Sequence, residues 1–117
     1  MKPDSRDSFA ERISLFEHAL SLDPQSVDAQ SRLANALAGR TLNNLADSAA
    51  ADIARAEELV GQALMAAPRS PLAHYAKGQV LRAQGRAEEA ITEYGTMLAF
   101  NRNSVASSAG ASFTPGR

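Results

Sequence analysis

A chain of 117 residues with a formal net charge of −1 has room for a single domain and lacks the basic balance that a nucleic-acid surface requires. Hydrophobic residues make up 44% and aromatics only 5%, a balance that favours close-packed helices over a sheet, which draws on β-branched and aromatic side chains. With no cysteine, neither a disulfide framework nor a thiolate metal site is available, and a reducing, cytoplasmic location is expected.

Residues 1–7 lack the basic start and apolar segment of a signal peptide, and no apolar run approaches the ~20 residues of a membrane span, so no membrane association is expected. These residues read as a frayed N-terminus. A first helix follows over residues 8–21, with Asp7 as its N-cap and Glu11 in its first turn. Phe9, Ile13, Phe16, Ala19 and Leu20 form its apolar stripe, and Leu22-Asp23-Pro24 closes it, because the residue before a proline is driven out of the helical region.

A second helix starts near Ser26, with Leu33, Ala34 and Leu37 in register, and a third carries Ala49, Ile53, Ala56 and Val60. Asp47 or Ser48 caps the third, with the turn near residues 43–48. A fourth helix opens at Pro71 and carries Ala73, Ala76, Val80 and Leu81. Gly85 ends it, and the fifth carries Ala87, Ala90, Ile91, Tyr94 and Leu98 to about residue 101. Residues 105–117 have no apolar stripe and place Pro115 where a buried leucine is due, so they read as a disordered tail.

The pattern repeats. Ala56, Val60, Ala63, Leu64 and Pro68 recur at one fixed offset as Ala90, Tyr94, Met97, Leu98 and Arg102. At a second, longer offset they follow Arg12, Phe16, Ala19, Leu20 and Pro24. The longer offset has a source: the path from Leu37 to Ala56 exceeds the equivalent path from Leu81 to Ala90 by ten positions. The inserted stretch keeps its Leu/Ile spacing, which predicts a hairpin with both helices lengthened by a turn or two. Gly78 and Ala90 are small enough to let the last two helices touch, with Leu81 and Tyr94 beside the contact.

On these residues the sequence resembles the tetratricopeptide repeat family, whose signature spaces Trp, Leu, Gly and Tyr, then Ala-x3-Phe, then Pro over about 34 residues. The shorter offset has that length. His74, Lys77, Gly78 and Leu81 occupy the first four places, Ala90 and Tyr94 the next two, and Pro24 and Pro68 the last, from which Arg102 departs. The resemblance implies an all-α superhelix of helical hairpins spanning residues 8–104: a half repeat at 8–24, a long repeat at 25–70 and a repeat at 71–104. It further implies a non-enzymatic scaffold that binds a protein or peptide. The wording of residues 51–60 and 68–78 also looks like repeat regions attached to bacterial nucleotide-cyclase-like regulators, which would make the chain a detached regulatory segment.

The concave face of such an array is lined by the first helix of each hairpin. That face is expected to carry Asp28, Ser31, Arg32 and Asn35 in the long repeat and Tyr75, Gln79, Arg82 and Arg86 in the next. Asn35 and Gln79 suit hydrogen bonding to an extended peptide, and Tyr75 and Arg82 suit stacking and carboxylate recognition. The family's carboxylate clamp places lysine where Ser31 and Tyr75 stand, which argues against that ligand. A half repeat at one end leaves Phe9 and Ile13 without a partner helix, and Leu98 and Phe100 are open at the other, so homodimerisation through unfinished ends is the alternative.

Catalytic arrangements are missing. No His-x-x-x-His pair, nucleophile elbow or glycine-rich phosphate loop occurs, and His74, standing in the tryptophan slot, reads as a packing residue. No cofactor or metal is expected. Residues 1–60 carry −4 and residues 61–117 carry +3, an uneven but solvated surface.

Overall fold

The computed structural model describes residues 6–108, with side chains described from 7 to 100. It contains five helices: α1 (Arg6–Leu22), α2 (Val27–Leu42), α3 (Ala49–Ala66), α4 (Pro71–Ala83) and α5 (Ala87–Ser108). Among the described residues there is no strand. At the centre, α2 packs on α1, α3 and α4, and α4 packs on α2, α3 and α5, while α1 rests on α2 and α5 on α4.

The sequence sets the helix ends through recurrent chemistry. Ser26, Ser48 and Ser70 take extended backbone angles, and each hydroxyl accepts the N–H three residues on, from Ala29, Ala51 and Ala73. Each cap satisfies a donor that the helix leaves orphaned, an effect of ~1 kcal/mol. The turns before Ser26 and Ser70 match as well: each serine N–H donates to the carbonyl three residues back, on Asp23 and Ala67. The longer of the two sequence offsets therefore relates the turns as well as the helices.

Two helices close in the same manner. Arg86 N–H reaches Leu81 carbonyl at 2.8 Å and Gly85 N–H reaches Arg82 carbonyl at 3.0 Å, with Gly85 at φ +79°. At the end of α2, Leu45 N–H reaches Arg40 and Asn44 N–H reaches Thr41, with Asn44 at φ +59°. Both are Schellman closures, and asparagine is the non-glycine residue best suited to that left-handed position.

The ten inserted residues divide between helix and turn. α2 runs five residues past Leu37 where α4 runs two past Leu81, and α3 begins seven before Ala56 where α5 begins three before Ala90. The remaining three enlarge the connection. The α2–α3 hairpin therefore extends by roughly 5 Å at ~1.5 Å per helical residue. A bidentate ion pair ties its two arms, Arg40 Nε and Nη2 each lying 2.8 Å from an Asp52 carboxylate oxygen. The bond to Asp52 raises the Arg40 pKa against the opposing effect of burial.

Alanine builds the core. Leu33, Leu37, Leu59, Val60 and Val80 interlock around Ala34, Ala38, Ala56 and Ala76, with Ile13, Phe16 and Leu20 of α1 laid against them. Small residues at the crossings let three helices approach one centre closely.

Two boundaries differ from the sequence expectation. α1 begins at Arg6, so Asp7 lies inside its first turn and is not the cap; there it still complements the positive end of the helix dipole. α5 continues to Ser108, so residues 105–108 are helical where a tail was expected to begin, in keeping with Gly110 and Pro115 being the first breakers beyond Gly95. The remainder of the frayed start and of the tail, residues 1–5 and 109–117, lies outside the described residues.

Candidate functional site

On one side of α4, Tyr75, Gln79 and Arg82 lie together against Tyr94 of α5. The Tyr94 ring sits over Gly78, where an added Cβ would meet ring carbon Cδ1 at 2.8 Å and Cζ at 3.0 Å. Its hydroxyl donates to Gln79 Oε1, which also accepts from Arg82 Nη1 at 3.0 Å. Tyr75 and Tyr94 rings tilt together with centroids 5.8 Å apart. This polar cluster is the part of the expected concave face that the fold brings together.

The matching part of α2 differs. Ser31 is fully buried, because α2 packs on α1, α3 and α4. Its hydroxyl and the Asn35 carbonyl oxygen are enclosed without a hydrogen-bond partner among the described residues. Asp28 and Arg32 are exposed and paired with each other at 2.9 Å. Arg86 also departs from expectation. It lines the cleft between α3, α4 and α5 with Lys77, Leu81 and Gln84, and residues two apart on a helix lie ~200° apart, so this side faces away from Tyr75 and Gln79. There Arg86 holds Glu89 through two bonds of 2.6 and 2.8 Å, which raise the arginine pKa and lower that of the carboxyl.

Of the four residues expected at open ends, only Leu98 is more than half exposed. Phe9 is 3% exposed, seated against Gly39 and beneath the Arg12 guanidinium, 4.4 Å from the ring centroid. Ile13 packs on the core. α1 thus buries its stripe within the chain, as Ile53, the residue equivalent to Phe9 one repeat on, does near Ala83. Phe100 lies between His74, at 5.3 Å, and the Arg69 guanidinium, at 5.0 Å. Leu98 is 53% exposed and is joined by Ile91 at 67%, which the apolar pattern had placed inward. Glu57, one repeat before Ile91, is the signal that this position faces out.

His74 is a packing residue with both ring nitrogens bonded. Nδ1 lies 2.8 Å from Glu93 Oε1 and Nε2 lies 2.7 Å from the Pro68 carbonyl oxygen, so neither is turned toward a substrate. Lys77 Nζ reaches the other Glu93 oxygen at 3.2 Å. Burial pushes the Glu93 carboxyl up, but the bonds from His74 and Lys77 and their charges prevail and hold it below its ordinary value. Glu93 is a residue that the sequence reading missed; its link to His74 joins two helices across their connection. Among the described residues, no three His, Cys, Asp or Glu side chains gather as a metal site would require, and no helix is long and apolar enough to cross a membrane.

The family profile of the tetratricopeptide repeat matches residues 48–111, more than half of the chain, starting at the Ser48 cap and covering α3, α4 and α5. The chain belongs to the tetratricopeptide repeat family. Comparison with curated proteins and with solved structures finds no match. The matched span holds α3, α4 and α5, and α1 and α2 precede it. Tetratricopeptide repeats generally mediate protein–protein interaction, and their stacked hairpins expose extended surfaces suited to it.

Proposed function

We propose that the chain is a non-enzymatic interaction module that takes a helical segment of a partner protein on the outer face of α5. One observation carries the reading. Glu57, Val60, Gly61 and Leu64 of α3 line the cleft against which α4 sits, and their equivalents one repeat on are Ile91, Tyr94, Gly95 and Leu98 of α5. In the second set Ile91, Gly95 and Leu98 lie exposed, while Tyr94 packs against α4. This set is also the more apolar of the two, with isoleucine in place of Glu57. Gly95, like Gly61, has open space where a side chain would stand, leaving room for a backbone to approach. The matching chemistry in a partner is that of α4: a helix presenting small residues, as Ala73 and Ala76 do, followed by a branched one such as Val80. The lack of cysteine supports a reducing compartment for this encounter.

The test is capture by wild-type chain compared with two variants. Protein retained by the wild type and by Tyr75→Ala/Arg82→Ala, but lost with Ile91→Asp/Leu98→Asp, supports the α5 face. Loss with the first variant alone would move the site to the concave cluster. A second reading, in which a further copy of the chain covers the face, is supported by the same exposed residues. It predicts a dimer in sedimentation that Ile91→Asp/Leu98→Asp converts to monomer. The wording of residues 51–60 and 68–78 supports placing such a module in a cyclase-like regulator.

A further inference from the structure

Two clefts of the molecule stand at equivalent places in successive repeats. Leu20 of α1 and Arg55, Glu58 and Leu59 of α3 line the first. Their equivalents at the two sequence offsets, Leu64, Glu89, Thr92 and Glu93, line the cleft between α3, α4 and α5. An ion pair spans the first cleft, Arg55 Nη2 of α3 lying 2.9 Å from Glu17 Oε1 of α1. The second lacks this tie, because both positions have changed. Gly61 stands where Glu17 does, and an added Cβ there would meet nothing within 4 Å. Glu89 stands where Arg55 does, so the charge on that wall is reversed. A cleft of about 410 Å³ is left open, within the ~300–1,000 Å³ of ordinary ligand sites.

The walls of this cleft select an occupant. Val60 and Leu64 of α3 and Val80 and Leu81 of α4 supply apolar surface, and around it the carboxylates of Glu57, Glu89 and Glu93 outnumber the cations of Lys77 and Arg86. Both cations are engaged, Lys77 by Glu93 at 3.2 Å and Arg86 by Glu89 at 2.6 Å. Glu57 accepts from the neutral amide of Gln84 at 2.7 Å and is bonded by no cation among the described residues. It stands one helical turn before Gly61, on the same face of α3. We propose that the cleft binds a lysine or arginine side chain presented by a partner protein. Its aliphatic stem lies in the space over Gly61, against Val60 and Leu64, and its charged head reaches Glu57. Such a side chain unites the two requirements, methylene groups that cover apolar surface and a cation that the surplus carboxylate favours. An acidic group entering the same space would meet three carboxylates and no uncommitted cation. Neither Ile91 nor Leu98 lines this cleft, so it stands or falls apart from the outer face of α5.

The probes are the acetylated amides of arginine and lysine, with that of glutamate for comparison, titrated into the full chain at low salt and followed by backbone-amide NMR. Saturable shifts centred on residues 57–64, 80–84 and 89–93 are expected with both basic probes, and far smaller ones with the acidic probe. Gly61→Leu fills the space over the helix backbone, and Glu57→Gln removes the anchoring charge. Each should weaken the basic probes several-fold, and Gly61→Leu should do so without lowering the thermal midpoint, since nothing stands in the way of its side chain. Shifts that lie away from these residues, that are as large with the acidic probe, or that persist unchanged in either variant would overturn the proposal, as would the absence of any shift.

Discussion

The ring of Tyr94 lies where the side chain of residue 78 would be, so glycine at 78 is a condition of the α4–α5 contact. Gly78→Ala is expected to force the ring aside at a cost of about 1–3 kcal/mol, seen as a lower thermal midpoint. Gly61→Ala meets nothing within 4 Å and should gain up to about 1 kcal/mol from helix propensity alone. Equal effects at the two positions would mean that Tyr94 does not occupy this space.

The two left-handed closures predict opposite responses to substitution. Gly85→Ala places a Cβ on a residue at φ +79° and should cost about 1–2 kcal/mol by denaturant unfolding. Asn44→Gly relieves the same strain at φ +59° and should be neutral or slightly stabilising.

Arg40 and Asp52 hold the extended hairpin as a pair, with side chains 24% and 11% exposed. Removing one partner strands the other charge in a largely enclosed place. Arg40→Ala is therefore expected to cost about 2–3 kcal/mol and to quicken amide exchange near the α2–α3 turn. Removing both should cost less than the sum of the single changes, a coupling that a double-mutant cycle measures.

Glu93 sets an acid limit beside the α3–α4 connection, at the other end of α3. Its carboxyl is lowered from 4.5 despite burial, because His74 and Lys77 favour the ionised form. A depressed folded-state value gives stability that is present above the ordinary value and lost as pH falls through the lowered one. Wild-type thermal midpoints should therefore fall more steeply below pH 4.5 than those of Glu93→Gln. Parallel curves would show that the carboxylate contributes nothing.

Local chemistry was readable in the sequence where it repeats. The Ser48 cap, the Gly85 stop and the lengthened hairpin follow from spacing, because helix period and terminal chemistry are local properties, whereas Tyr94, expected beside the approach of Gly78 and Ala90, sits on Gly78 itself. What depends on how helices cross was not readable. Ser31 looked like a surface residue until α1, α3 and α4 closed around α2, and Phe9 looked stranded only because α1 was treated as an unmatched half. Phe9 stands one long repeat before Ile53, and that equivalence signals an inward position. The His74–Glu93 bond had no such signal, since a pair across helices depends on their rotation and depth of packing. Ile91 and Leu98 show the limit of apolar periodicity: a stripe wider than the interface leaves some of its members outside.

The most direct test of the proposed function is the hydrogen-exchange footprint of the chain bound to the protein it captures. Protection gathered on residues 88–99, with Ile91→Asp/Leu98→Asp forming no complex, is the predicted result. Protection confined to residues 72–82, with that variant binding as well as wild type, would contradict the assignment of the α5 face.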